Sequence, residues 1–164
     1  MTTQAGELQN ITGEVNAIFP NTAGPSGNPF LRAPYHSQRI QSIRFGTNEY
    51  IMINSSSGSG STSDVITGDN RQLNFSFKQG ITSGTYKFPD GAGDHLMGVA
   101  YGEIVNLDGK HFLQSFTATE ATLELEVSND GRHYKSKRFE IIVKTNKGVT
   151  LNIETDFDLY LAIE

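Results

Sequence analysis

Hydrophobic and polar residues alternate most regularly near the end of the sequence. From 149 to 163 the odd positions are apolar except for Thr155, and the even positions from 150 to 158 are polar or acidic. Side chains of a β-strand point alternately to its two faces, so this pattern predicts a long strand with one buried face and one acidic face. A helix would spread the same residues around its whole circumference.

The stretch before this strand predicts its hairpin partner. Its odd positions are again apolar, namely Phe139, Ile141 and Val143. For apolar residues to oppose each other across a hairpin, the two numbers of each pair must sum to an even value. A loop of residues 146–148 or of residues 144–148 meets this condition. The first register places Arg138 opposite Asp156, and the second places it opposite Glu154.

A third strand is predicted at 121–127, where Leu123, Leu125 and Val127 are apolar. A loop of residues 128–131 would set Leu125 opposite Tyr134. Tyr134 is at an even position, however, whereas the next apolar residue, Phe139, is at an odd one. One extra residue in a strand reverses which positions face inward, so the sequence predicts a β-bulge within Lys135–Arg138.

The rest of the chain reads as further short strands separated by turn residues, with no helical periodicity. Gly13 is expected to mark a bulge in the first of them. The predicted strands are 7–19, two within 39–54, 71–78, 85–88, 96–105 and 111–118, in addition to the three above.

This spacing predicts an all-β fold of about nine to eleven strands. The favoured architecture is an antiparallel two-sheet β-sandwich with jelly-roll-like or immunoglobulin-like connections. A length of 164 residues is typical of a single domain, here spanning 1–164. Two long loops are expected, the proline- and glycine-rich stretch 20–38 and the serine- and glycine-rich stretch 55–70.

Composition narrows the possible partners. The formal net charge is −5, which argues against binding to nucleic acid, and the chain has no cysteine for a disulfide. No segment approaches the roughly 20 apolar residues of a membrane-spanning helix. The first ten residues lack the basic and apolar regions of a Sec-type signal peptide. These features are compatible with a cytoplasmic protein or with release without a Sec leader, and they leave the compartment open.

Two acidic turns could supply a calcium site, because Ca²⁺ prefers several carboxylate and carbonyl oxygens. The candidates are Asp90 and Asp94 in a glycine-rich turn and Asp108 in an Asp-Gly turn. The alternative is that these are solvated turns with local hydrogen bonds. His95, beside Asp94, is a further candidate ligand-binding residue. Apart from calcium, no cofactor is predicted.

Exposed aromatic side chains could bind carbohydrate, because sugars stack on aromatic rings. Tyr160 lies on the polar face of the last predicted strand, and Tyr35 and His36 lie in the first long loop. The alternative for Tyr160 is packing at the edge of the core. Tyr35 and His36 could instead pin the loop onto the fold.

Three carboxylates, Glu154, Asp156 and Asp158, share one face of the last strand. Two carboxylates over a groove could hydrolyse a glycosidic bond. The alternative is that they form ion pairs with the preceding strand and its turns, which carry six lysine and arginine residues between 132 and 147. No nucleophile or metal motif is present to support catalysis.

The sequence therefore favours a non-catalytic interaction or structural module that binds a protein partner or a second copy of itself. A carbohydrate-binding, lectin-like module, assisted by calcium, is the first alternative. A glycoside hydrolase is the second.

Overall fold

The computed structural model of the chain describes residues 7–9, 11–20, 34–45, 50–57, 71–89, 95–145, 148 and 150–161. These residues form eleven β-strands and no helix. The strands are β1 (Glu7–Gln9), β2 (Ile11–Ile18), β3 (Tyr35–Ser37), β4 (Arg39–Phe45), β5 (Tyr50–Ser57), β6 (Arg71–Lys78), β7 (Gly84–Phe88), β8 (Leu96–Leu107), β9 (Lys110–Val127), β10 (His133–Lys144) and β11 (Thr150–Leu161). The all-β prediction is confirmed, and no described segment is a helix that could cross a membrane.

All strand pairs are antiparallel and follow one path, β1-β4-β5-β6-β8-β9-β10-β11-β2-β3, with β7 attached to β9. Only position 10 separates β1 from β2, and only Gln38 separates β3 from β4. Because β1 pairs with β4 and β2 pairs with β3, the two ends of the path meet, and the sheet is nearly closed and barrel-like. Residues 35–37 and 55–57 belong to β3 and β5, so both predicted loops are shorter than expected.

The longest strand, β9, has 18 residues and links two parts of the sheet. Its first half pairs with β8, and its second half pairs with β10 on one side and β7 on the other. The pattern of apolar positions predicted two strands here, at 111–118 and 121–127. The register with β10 skips Thr119, which is a bulge, and the buried positions change there from even to odd.

The β10–β11 hairpin has the even-sum register that the apolar positions predicted. Ile141 opposes Ile153, and Lys144 opposes Thr150, as the 146–148 loop requires. The predicted bulge is confirmed by a register shift between Lys135 and Phe139. Because Arg138 lies within this bulge, its guanidinium turns to Glu140 at 2.7 Å, and the predicted pairing with Asp156 or Glu154 is wrong.

The β9–β10 loop is displaced by one position from the prediction. The backbone N–H of Ser128 donates to the carbonyl of His133 at 3.0 Å, so the loop spans 129–132. Val127, rather than Leu125, therefore opposes Tyr134. The Ser128 hydroxyl accepts a hydrogen bond from the His133 backbone N–H at 3.0 Å, which fixes this register.

Aromatic rings fill the centre of the core. Phe75 of β6 stacks on Phe157 of β11 at a centroid distance of 4.9 Å and meets Phe139 of β10 edge-on at 5.3 Å. All three side chains are buried. The inner faces of β6, β10 and β11 thus pack against each other, and the even-numbered side chains of β11 are left on the outside. This outer surface carries several of the residues singled out by sequence.

Candidate functional site

One outer surface combines residues from β3, β2 and β11 in a row. Asn16 of β2 lies between His36 of β3 and Asp156 of β11 in the strand register. Asn16 Nδ2 donates to Asp156 Oδ1 at 3.1 Å, and His36 Nδ1 donates to Asn16 Oδ1. Three strands distant in sequence thereby contribute one continuous hydrogen-bonded row on the surface.

A second row lies beside the first and contains an ordered aromatic pair. His133 of β10 opposes Tyr160 of β11, and the two rings stack at a centroid distance of 4.1 Å with an interplanar angle of 6°. His133 Nε2 donates to Asp158 Oδ1 at 2.5 Å. The Tyr160 side chain is 50% exposed, so its ring is oriented yet accessible to solvent.

We call the two rows together the polar face. Its residues are His36, Asn16, Asp156, His133, Asp158 and Tyr160. Asp156, Asp158 and Tyr160 are successive outward positions of β11, each roughly 7 Å from the next, so Tyr160 lies roughly 13 Å along the strand from Asp156. A depression of about 300 Å³ adjoins His133 and is lined also by Ser83, Glu126, Ser128 and Lys135.

The polar face offers hydrogen-bond donors, acceptors and an aromatic ring on rigid strands. Exposed hydrogen bonds and ion pairs contribute little to folding stability, because water competes for the same groups. They do, however, restrict the positions of the side chains that make them. Within the described residues, no group of three or more histidine or carboxylate side chains could hold a metal ion.

Of the predicted ligand-binding residues, His36 and Tyr160 lie on the same outer side of the sheet without contacting each other, and Tyr35 lies in the core. Tyr35 is buried, and its hydroxyl and that of Ser55 share a hydrogen bond of 2.8 Å inside the sheet. Burial raises the pKa of the Tyr35 hydroxyl above its usual value. Tyr35 is therefore a core residue that faces away from His36.

The predicted calcium residues are described only in part. Asp90 and Asp94 lie outside the described residues. Asp108 is exposed in the β8–β9 turn, with a φ of 53° next to Gly109 with a φ of 77°. His95 packs its ring 5.1 Å from that of Tyr86, just before β8 begins. β8 is 12 residues long, about 40 Å of strand, and it separates His95 from Asp108.

The three carboxylates predicted for hydrolysis are divided between two environments. Asp156 and Asp158 accept hydrogen bonds on the polar face. Glu154 instead opposes Glu140 across the hairpin, and both line a concavity of about 350 Å³ with Glu120. Arg138 donates a hydrogen bond to Glu140, which lowers the pKa of that carboxyl below its usual value.

A buried charged cluster was missed by the sequence analysis. Arg71 of β6 and Glu103 of β8 are directly opposed and are 1% and 3% exposed. The Tyr101 hydroxyl donates to Glu103 Oε1 at 2.8 Å, and burial together with Glu103 raises the pKa of Tyr101. The Arg71 guanidinium lies 5.4 Å from the centroid of the Phe19 ring and 5.5 Å from that of Tyr35.

The alternation of inward and outward positions along β6 and β8 already indicated this cluster. Arg71 shares the parity of Leu73, Phe75 and Phe77, and Glu103 shares the parity of Val99 and Tyr101. Two opposite charges on the inward positions of two strands are the expected sign of a buried ion cluster.

Neither a protein-family model, a curated protein nor a solved structure matches this chain significantly.

Proposed function

We propose that this chain is a non-catalytic module that binds a saccharide on its polar face. The observation that carries the proposal is the Tyr160 ring, half exposed and held parallel to His133, whose Nε2 is hydrogen-bonded to Asp158. An aromatic ring of fixed orientation beside carboxylate and amide groups matches the two surfaces of a sugar, its C–H face and its hydroxyl rim.

Preorganisation supports recognition on this face. The side chains project from four neighbouring strands, β3, β2, β11 and β10, and their mutual hydrogen bonds restrict their rotamers. A ligand that binds there loses less free energy to ordering side chains than it would on a mobile loop. The depression beside His133 would accommodate a second sugar unit next to the one on Tyr160.

Binding without cleavage agrees with the state of the nearby carboxylates. Glycoside hydrolysis needs one carboxyl that stays protonated and donates its proton to the leaving oxygen. Glu140 is held in its ionised form by Arg138, and Asp156 and Asp158 act as hydrogen-bond acceptors. These roles suit recognition of sugar hydroxyls rather than proton donation.

Replacing Tyr160 with alanine should weaken saccharide binding about tenfold, because the stacking surface is lost. The measurement is a glycan array with the full chain, followed by titration calorimetry on the glycans that bind. Phe112→Ala is the matched control, since Phe112 is 47% exposed and lies on β9, outside the polar face. Absence of glycan binding, or equal binding by the Tyr160 variant and the wild type, would contradict the proposal.

Self-association is a second candidate function, favoured by two exposed apolar side chains at consecutive positions of β9, one on each face of the strand. Phe112 and Leu113 are 47% and 51% exposed. If copies of the chain associate through this strand, Leu113→Ser should lower the apparent mass at high concentration, whereas Ile18→Ser on β2 should not. Size-exclusion chromatography with light scattering makes the comparison, and a wild-type monomer at every concentration would exclude this candidate.

We also propose that the strands are arranged as the two-layer sandwich predicted from the sequence. Phe75 packs against Phe139 and Phe157, as residues from facing layers do. In this interpretation β10, β11, β2 and β3 form one layer, and the saccharide lies on its outer side.

A further inference from the structure

A second surface forms a groove across β4, β5 and β6. In the strand order, β8 and β9 separate these strands from β10. Its volume is about 570 Å³, within the range of roughly 300–1,000 Å³ typical of small-molecule sites. The side chains that matter are Arg39, Gln41, Asn54, Ser56, Gln72 and Asn74. We call this surface the amide groove.

The strand register arranges these side chains as two rows. Gln41, Asn54 and Asn74 are successive cross-strand partners, and Arg39, Ser56 and Gln72 form the neighbouring row. Adjacent strands are about 4.8 Å apart, and same-face positions along a strand are about 7 Å apart. The polar groups therefore form a grid of about 10 by 7 Å.

The four amides of this grid have no hydrogen-bond partner within the described part of the chain. Asn54 and Asn74 oppose each other directly, yet their side chains do not hydrogen-bond to one another. On the polar face, by contrast, Asn16 uses both ends of its amide for His36 and Asp156. The donors and acceptors of the amide groove are thus available to a ligand.

Small residues on β8 border one side of the groove. Ala100 is the next partner of Asn74 in its row, and Gly102 is the next partner of Gln72. A Cβ atom at Gly102 would lie 3.7 Å from the Gln72 Cβ and 3.2 Å from Leu113 Cδ1. Gly102 is buried, and the Leu113 side chain occupies the space above it, so Leu113 bounds the groove on the far side of Gln72.

We propose that the amide groove is a binding site for a neutral oligosaccharide, distinct from the polar face. An amide group both donates and accepts hydrogen bonds, as a sugar hydroxyl does, so each of the four amides can engage a hydroxyl in either direction. Among the described residues that line the groove, Arg39 is the only charged one. A strongly charged ligand would find too few counter-charges there, and an apolar ligand would bury amides without partners.

The test is a titration of the ¹⁵N-labelled full chain with cellohexaose, maltohexaose, mannohexaose and chitohexaose. At least one of these should shift the side-chain NH₂ signals of Asn54, Gln72 and Asn74 in a saturable manner. The double variant Asn54→Ala/Gln72→Ala should weaken that binding about tenfold or more, as expected when two hydrogen bonds are removed. Asn152→Ala is the matched control, because Asn152 is an amide of similar exposure on β11, and it should bind like the wild type.

The Tyr160→Ala variant separates this site from the one on the polar face. Tyr160→Ala should leave the amide signals of the groove and their titration unchanged, so failure of either site is detected independently of the other. The proposal is overturned if none of the hexasaccharides shifts the groove amides, or if the double variant binds as well as the wild type. It is also overturned if a sulfated oligosaccharide shifts these amides while every neutral one fails.

Discussion

Replacing Arg71 with leucine should lower the free energy of unfolding by about 3–5 kcal/mol, the usual cost of removing one member of a buried charged pair. Arg71 and Glu103 are directly opposed on β6 and β8, and both are almost completely buried. The substitution removes the cation that faces Glu103 and the donor of the hydrogen bond to the Pro34 carbonyl at 2.9 Å. Urea denaturation followed by circular dichroism gives the free energy directly.

The double variant Arg71→Leu/Glu103→Leu separates the role of charge from the role of packing. Replacement of both members of a buried ion pair by apolar residues is often neutral or stabilising, so the double variant should recover much of the loss. Arg138→Leu is the surface control, because Arg138 pairs with Glu140 in an exposed position, and it should change stability little. If Arg71→Leu is as stable as Arg138→Leu, the buried cluster does not contribute as described.

The buried cluster of Arg71 and Glu103 shows which parts of the fold can be predicted from the sequence and which cannot. The alternation of apolar positions correctly predicted β6. Arg71 has the parity of the buried residues Leu73, Phe75 and Phe77, although its side chain was not assigned to the inward face. What alternation cannot supply is the partner strand. Glu103 opposes Arg71 only because β6 pairs with β8 and not with β7, the next strand in the sequence. No local pattern specifies that order.

Local parity was most informative within hairpins. The parity of the β10–β11 register and the bulge at 135–138 followed from which positions are apolar, because a register of the wrong parity would expose a whole row of core side chains. The choice between the 146–148 and 144–148 loops did not follow from this pattern. The single strand β9 was missed because Thr119 reverses the inward parity between Ala118 and Ala121, which made one strand look like two.

The polar face depends on pairings between distant parts of the chain. The sequence placed Tyr160 on the polar face of the last strand because it lies at an even position, and it left packing at the edge of the core as the alternative. Its stacking partner His133 could also have been predicted, since the two residues are opposed in the hairpin register. The contribution of His36 and Asn16 was not predictable, because it requires β2 to insert between β3 and β11.

Replacing Gly13 with alanine should destabilise the protein by about 2–5 kcal/mol, from a steric clash together with an unfavourable backbone conformation. Gly13 of β2 opposes Leu159 of β11 with a φ of 134°. A Cβ atom there would lie 2.0 Å from the carbonyl oxygen of Asp158, which is backbone and cannot rotate away. The predicted bulge at Gly13 is wrong, since the β2–β11 register is unbroken, and close approach of the two strands is the reason for the glycine.

A comparison with Gly80→Ala separates the steric cost of the Gly13 substitution from its conformational cost. Gly80 also has a positive φ, of 80°, but a Cβ atom there would meet no heavy atom within 4 Å. Its replacement should therefore cost only about 1 kcal/mol, the conformational part alone. Because Leu159 lies between Asp158 and Tyr160, the Gly13 variant should also shift the backbone NMR signals of both polar-face residues, whereas the Gly80 variant should not. Equal destabilisation by the two substitutions would mean that β2 does not approach β11 as closely as the 2.0 Å clash requires.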